Sequence, residues 1–175
     1  MRWRPVCALA ALALGGCDLG GTATAVFDAG PPQSVASMAP LQGTSVSGSA
    51  VFTHQIFGDN SVTLTITVAG VVPDGNHGIH IHQTPDCSSI DGESAGPHWN
   101  PLGGPEAGIP LEDQLGELGN ITISGGAGTL SLTKPMWTLG DGATTDVIGH
   151  AVIMHLNPDA GARIACGVTG PMQRI

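Results

Sequence analysis

The sequence predicts an all-β domain, an antiparallel sandwich or barrel of about eight short strands. Three observations carry this. Gly (27) and Pro (13) punctuate the 175-residue chain, and the apolar runs between them alternate with period two. No segment after residue 17 sustains a helical period, and the single lysine, Lys134, leaves a helical bundle without its usual charged surface. At 41% hydrophobic the chain is too apolar for a disordered one, although only 11% of it is charged. The length suits one domain with its own core.

The strands follow in order. Val46, Gly48, Ala50 and Phe52 share one face, with Ser47, Ser49, Val51 and Thr53 on the other. Phe57-Gly58-Asp59-Asn60 offers a hairpin turn, after which Val62, Leu64, Ile66 and Val68 alternate with Ser61, Thr63, Thr65 and Thr67. Pro73-Asp74-Gly75-Asn76 is a second turn, leading into Gly78–His82. The pattern resumes at Asn120–Ile123, Thr129–Leu132, Ile148–His155 and Ala162–Val168. The Gly/Pro-rich stretch between His82 and Asn120 is long for a structureless connection, which predicts a functional or a disordered loop.

The N-terminus is organised differently. Arg2 and Arg4 precede an apolar stretch from Val6 to Leu14, too short to cross a bilayer as a permanent helix. The ending Leu14-Gly15-Gly16-Cys17 resembles a bacterial lipobox, with an ordinary secretory signal as the alternative. Residues 1–16 are therefore expected to be a signal peptide. Residues 17–42 are expected to be a lipidated N-terminus and flexible tether, and residues 43–175 the folded domain. An edge strand over Val35–Leu41 is the alternative for part of the tether. Acyl chains on Cys17 would contribute about 0.8 kcal/mol per buried CH₂. The expected location is the bacterial cell envelope, anchored to a membrane by that lipid.

The charge is lopsided, with 14 acidic residues against 5 basic for a formal −9. Without the leader, Lys134, Arg163 and Arg174 remain against the 14 acids, giving −11. Nucleic acid as a partner is excluded, since no basic face can form. Arg163 then stands out as one of few groups able to attract an anion.

Of seven histidines, His80 and His82 lie two apart in a strand, so both rings leave the same face. Such a pair suits copper or zinc. His98 sits beside Gly96-Pro97 and Trp99-Asn100-Pro101, and His155 ends an apolar strand.

Gly78-Ile79-His80-Ile81-His82, Cys87 and Ser94–Pro101 together resemble the copper/zinc superoxide dismutase signature. Leu118-Gly119-Asn120, Gly149–His155 and Gly161–Gly167 extend the likeness over roughly Gly43 to Gly170. The resemblance implies a Greek-key, immunoglobulin-like sandwich or barrel. It implies one copper ion on His80, His82, His98 and His155, with His98 the ring that bridges to zinc elsewhere in the family. It implies an anion-guiding role for Arg163, a disulfide between Cys87 and Cys166, and superoxide as substrate. His54, His77 and His150 match no ligand and are read as structural or surface residues.

The chain departs from the family where zinc should bind. Leu102-Gly103-Gly104-Pro105 carries a deletion at the first further histidine, Gln114 replaces the second, and Glu117 stands where an aspartate would be. A tetrahedral site needs four donors, so zinc is not expected, with Glu112 or Asp113 as groups able to improvise a site. Asp159 falls on an aspartate that links the two metal sites in the family. Only Ala160, Gly161 and Ala162 then precede Arg163, so the long anion-steering loop is nearly absent. This combination resembles the copper-only branch of the family. A carboxylate, Glu117 first and Asp113 second, is expected to bond the far nitrogen of His98 in place of zinc. The function expected is copper-dependent dismutation of superoxide to oxygen and hydrogen peroxide at a shallow, open site. The alternative is a non-catalytic copper-binding protein for storage or delivery. Oligomeric state is left open.

Overall fold

The computed structural model describes residues 30–104, 108–110, 113–158 and 161–174. The strands are β1 (Pro32–Pro40), β2 (Ser47–His54), β3 (Val62–Ala69), β4 (Gly75–His82), β5 (Glu117–Ile123), β6 (Ala127–Lys134), β7 (Ala151–His155), β8 (Arg163–Val168) and the short β9 (Gln173–Arg174). A 3₁₀ turn spans Glu93–Ala95. All ladders are antiparallel, in the order β5-β4-β7-β8-β1-β2-β3-β6, with β9 on β1. The two ends of that order, β5 and β6, are consecutive and joined by a tight turn at Ser124–Ala127. The sheet therefore curls into a nearly closed barrel of eight strands, the all-β class expected.

Part of the stretch read as a tether is in fact β1, and the folded domain starts before residue 43. Nor is β1 an edge strand, since it lies between β8 and β2. The leader and Cys17 lie outside the described residues.

On β3 the alternation is complete, with Val62, Leu64, Ile66 and Val68 buried. They meet Phe52, Ile79, Ile81, Ile121 and Met154 in the barrel interior. Each such side chain contributes roughly 1.5–3 kcal/mol relative to exposure. Trp137 packs edge-on against Phe52, ring centroids 5.6 Å apart.

Strands β4 and β7 depart from this pattern. From His77 to His82 every residue of β4 is buried, and so is all of β7. Their inner faces supply the core, while Ala151 and Ile153 on the outer face join Leu41, Ala95 and Cys166 in a second cluster. The loop after β4 covers that outer face. Its cover is stapled by the Cys87–Cys166 disulfide, 79 residues apart in sequence. A sheet face buried under a loop, away from the main core, is where the histidines emerge.

Candidate metal centre

His80 and His82 leave the outer face of β4, as the period of two requires. Across the ladder, His80 pairs with Ile153 and His82 with Ala151, so β7 presents His155 on the same side. The returning loop brings His98 alongside through a bridge to His82 and a hydrogen bond from Trp99 N to Ile81 O at 2.8 Å. One nitrogen from each of His80, His82, His98 and His155 then lies within 4.8 Å of all the others.

The other ring nitrogens decide what this cluster can do. His82 Nδ1 donates to Gly96 O at 2.8 Å, and His155 Nδ1 donates to Gly161 O at 2.9 Å. His98 Nδ1 donates to Glu117 Oε1 at 2.6 Å, and His80 Nε2 lies 3.2 Å from Glu117 Oε2. Every one of these partners is an acceptor, so each ring carries its proton on the outer nitrogen. The inner nitrogen of each neutral ring must then present a lone pair. Among the described residues, His80 Nδ1, His82 Nε2 and His155 Nε2 are buried with no hydrogen-bond partner. Four lone pairs aimed at one point repel one another unless a cation sits between them. The donor set fits a metal that favours imidazole.

A family model, copper/zinc superoxide dismutase, matches residues 46–169. The chain belongs to the copper/zinc superoxide dismutase family. Proteins of this dismutase family bind copper and act on superoxide, and the four histidines are the residues in this chain that could hold the metal.

Glu117 comes to the dismutase site by a local irregularity. The β4–β5 register shifts between Gly78 and His80, which sets Glu117 directly across from His80. The bond to His98 is the one expected from sequence; the second contact, to His80, was not foreseen. Burial pushes the Glu117 carboxyl up, but hydrogen bonds from His80 and His98 overcome it and hold the group well below the carboxylate range. Burial, reinforced by Arg163, His98 and His155, pushes His82 down to about 3 against the opposing Gly96 hydrogen bond. His155 falls to about 4, mainly through burial, against its bond to Gly161.

Arg163 opens β8 opposite His155. Its Nη1 donates to Gly92 O at 2.6 Å, and its Nη2 lies 3.4 Å from the exposed Glu93 carboxylate. Gly92, with φ +74°, sits against Arg163, and a Cβ there would lie 3.1 Å from its Cδ. The disulfide joins Cys166 of the same strand to the loop carrying Gly92 and Gly96.

Other expected residues fall elsewhere. Asp113 is exposed and lines a separate cleft with Leu102, Ile109 and Leu132, away from His98. It is no partner for that ring, because Glu117 reaches it first through the β4–β5 register. Asp159 and Glu112 lie outside the described residues. Gln114 is buried and donates weakly to Ile109 O at 3.5 Å. His77 is buried with both nitrogens on carbonyls, those of His155 and Pro73. His150 lies against Trp99 with the rings tilted by 31°, and His54 bonds Asn60.

At the β7–β8 connection Leu156 N donates to Ala162 O at 2.8 Å. His98 is 32% exposed, whereas the other three rings are buried. It borders a cavity of about 620 Å³ shared with Gln83, Asn100, Thr144 and His150.

Proposed function

We propose that the protein is a copper-only superoxide dismutase, held at the cell envelope by a lipid on Cys17. The observation that carries this reading is the convergence of four ring nitrogens whose opposite nitrogens are all fixed by acceptors. Copper bound there supplies a one-electron couple, through which one superoxide is oxidised to oxygen and a second is reduced, with two protons, to hydrogen peroxide.

The remaining work falls to the chain. Gly96 O, Gly161 O and Glu117 hold the rings in one tautomer, so the ligand geometry is set before any ion arrives. Arg163 is anchored through Nη1 on Gly92 O. Its Nη2 makes only a 3.4 Å contact to the exposed Glu93 carboxylate, which an incoming small anion can displace. His98 is the ring open to solvent, and it can take and give a proton at Nε2 while Glu117 keeps Nδ1–H in place. With a net charge of −11 once the leader is removed, anion capture depends on the local field of Arg163 and the metal.

The copper-only part is supported by Glu117. In a two-metal site His98 Nδ1 would need a lone pair for zinc; here it faces a carboxylate at 2.6 Å and must carry a proton.

Metal analysis and a superoxide assay on the purified chain test the reading together. One copper, no zinc and turnover are expected. Stoichiometric zinc overturns the copper-only part, and one copper without turnover makes the protein a copper-binding one for storage or delivery. Cys17→Ser is expected to release the chain from the membrane fraction.

A further inference from the structure

Glu117 touches two histidines from the end of a short segment, Gln114–Glu117, that belongs to no strand until its last residue. On one side this segment is held by β4, through Ile81 N donating to Gly116 O at 2.8 Å. Gly116 fits so closely that a Cβ there would run into the Trp99 carbonyl and lie 2.8 Å from Ile81 O. On the other side Lys134, the last residue of β6, and Trp137, three residues beyond it, reach its carbonyls. Lys134 Nζ donates to Gln114 O at 2.6 Å, and Trp137 Nε1 donates to Leu115 O at 3.1 Å.

Lys134 is the single lysine of the chain and is buried. Its ammonium makes a short, charge-assisted bond to a backbone carbonyl three residues before Glu117. Trp137 is itself fixed by its edge-on packing on Phe52 in the barrel core. The segment is thus clamped between β4 and the end of β6, and its last residue delivers the carboxylate.

We propose that Lys134, assisted by Trp137, is a positioning residue for the metal centre. It holds Gln114–Glu117 so that the carboxylate stays between His80 and His98. The proposal rests on Glu117 as the group that orients His98 and is independent of turnover. A bond of 2.6 Å from a carboxylate to an imidazole tolerates little drift, because a displacement of about 0.5 Å already leaves productive geometry.

The test uses the full-length chain. In the metal-free protein the Nδ1 proton of His98, held by Glu117, gives its own downfield NMR signal. Lys134→Met and Trp137→Phe are expected to shift or broaden that signal, while the Nδ1 protons of His82 and His155, which bond Gly96 and Gly161, stay in place. Copper(II) affinity is expected to fall about tenfold, the low end for disturbing a group that orients a ligand. Ile66→Val, a core change on β3, serves as a destabilised control and is expected to move neither readout. Unchanged His98 signal and affinity in both variants overturn the proposal, as does an equal change in Ile66→Val. Should Lys134→Met fail to fold, Trp137→Phe decides alone. A chain that binds copper without superoxide turnover leaves both readouts intact, so failure of the dismutase reading is distinguishable from failure of this one.

Discussion

Glu117 faces His80 directly across the β4–β5 ladder and splits its two oxygens, one to His80 Nε2 and one to His98 Nδ1. A carboxylate suits this because both partners must be donors if their other nitrogens are to ligate. Glu117→Gln keeps the size but offers only one acceptor. Its NH₂ would then confront one of the two N–H groups or force that ring into the tautomer that protonates the ligating nitrogen. Copper(II) affinity is expected to fall 10–100-fold, measured by competition titration. An unchanged affinity would remove Glu117 from the centre.

Arg163 lies opposite His155 on the β7–β8 ladder, and its charge helps to push both His82 and His155 down. In Arg163→Ala the superoxide rate is expected to fall at least tenfold, about 1.4 kcal/mol or more, with copper content unchanged. Arg163→Lys should recover only part of it, since an ammonium cannot bond Gly92 O and present a second planar donor to an anion at once. A loss below tenfold in Arg163→Ala would count against guidance.

The β-barrel was legible in the sequence where side chains were large. β3 could be read from Val62, Leu64, Ile66 and Val68 alone. β1 could be offered only as an alternative, over Val35–Leu41, because its buried positions are Pro32, Ser34, Ala36 and Met38 while Val35 faces outward at 41% exposure. Ser34 is tolerated inside by donating to Gly170 O at 2.7 Å, a partner far away in the chain. At the metal centre, His80 and His82 follow from the period of a strand. His98 and His155 could be named only through the family likeness, since a loop and a second strand bring them in. The Glu117–His80 contact depends on a register shift that alternation does not encode. Lys134 read as a count of one, and its role needed the fold.

The disulfide should matter to the centre as well as to the fold. Joining residues 79 apart, it stabilises by about 4–5 kcal/mol in the chain-entropy model. Its loop also carries Gly92 O and Gly96 O, the acceptors for Arg163 and His82. Reduction, or Cys87→Ser with Cys166→Ser, is expected to lower the unfolding midpoint and weaken copper binding together. If only the midpoint moves, the loop is held at His82 by other contacts.

The metal-free protein should lose stability in mild acid. His82 and His155 sit at about 3 and about 4 in the fold, against 6.5 for a free imidazole. Between those values the unfolded chain takes up protons that the folded chain refuses, so protonation favours unfolding. The stabilising difference is therefore complete above pH 6.5 and is lost as pH falls through about 4 and then about 3. Each histidine adds a slope approaching 1.4 kcal/mol per pH unit, roughly, across its window. Glu117 acts with the same sign, its contribution fading below its ordinary value of 4.5. Thermal unfolding of the metal-free chain is expected to show a midpoint that falls steadily from about pH 6.5 downward. Bound copper occupies the same lone pairs and competes with protons, so it should move the onset to lower pH. A flat midpoint for the metal-free chain across that range would mean that the inner nitrogens already carry protons in the fold, against the tautomers fixed by Gly96, Gly161 and Glu117.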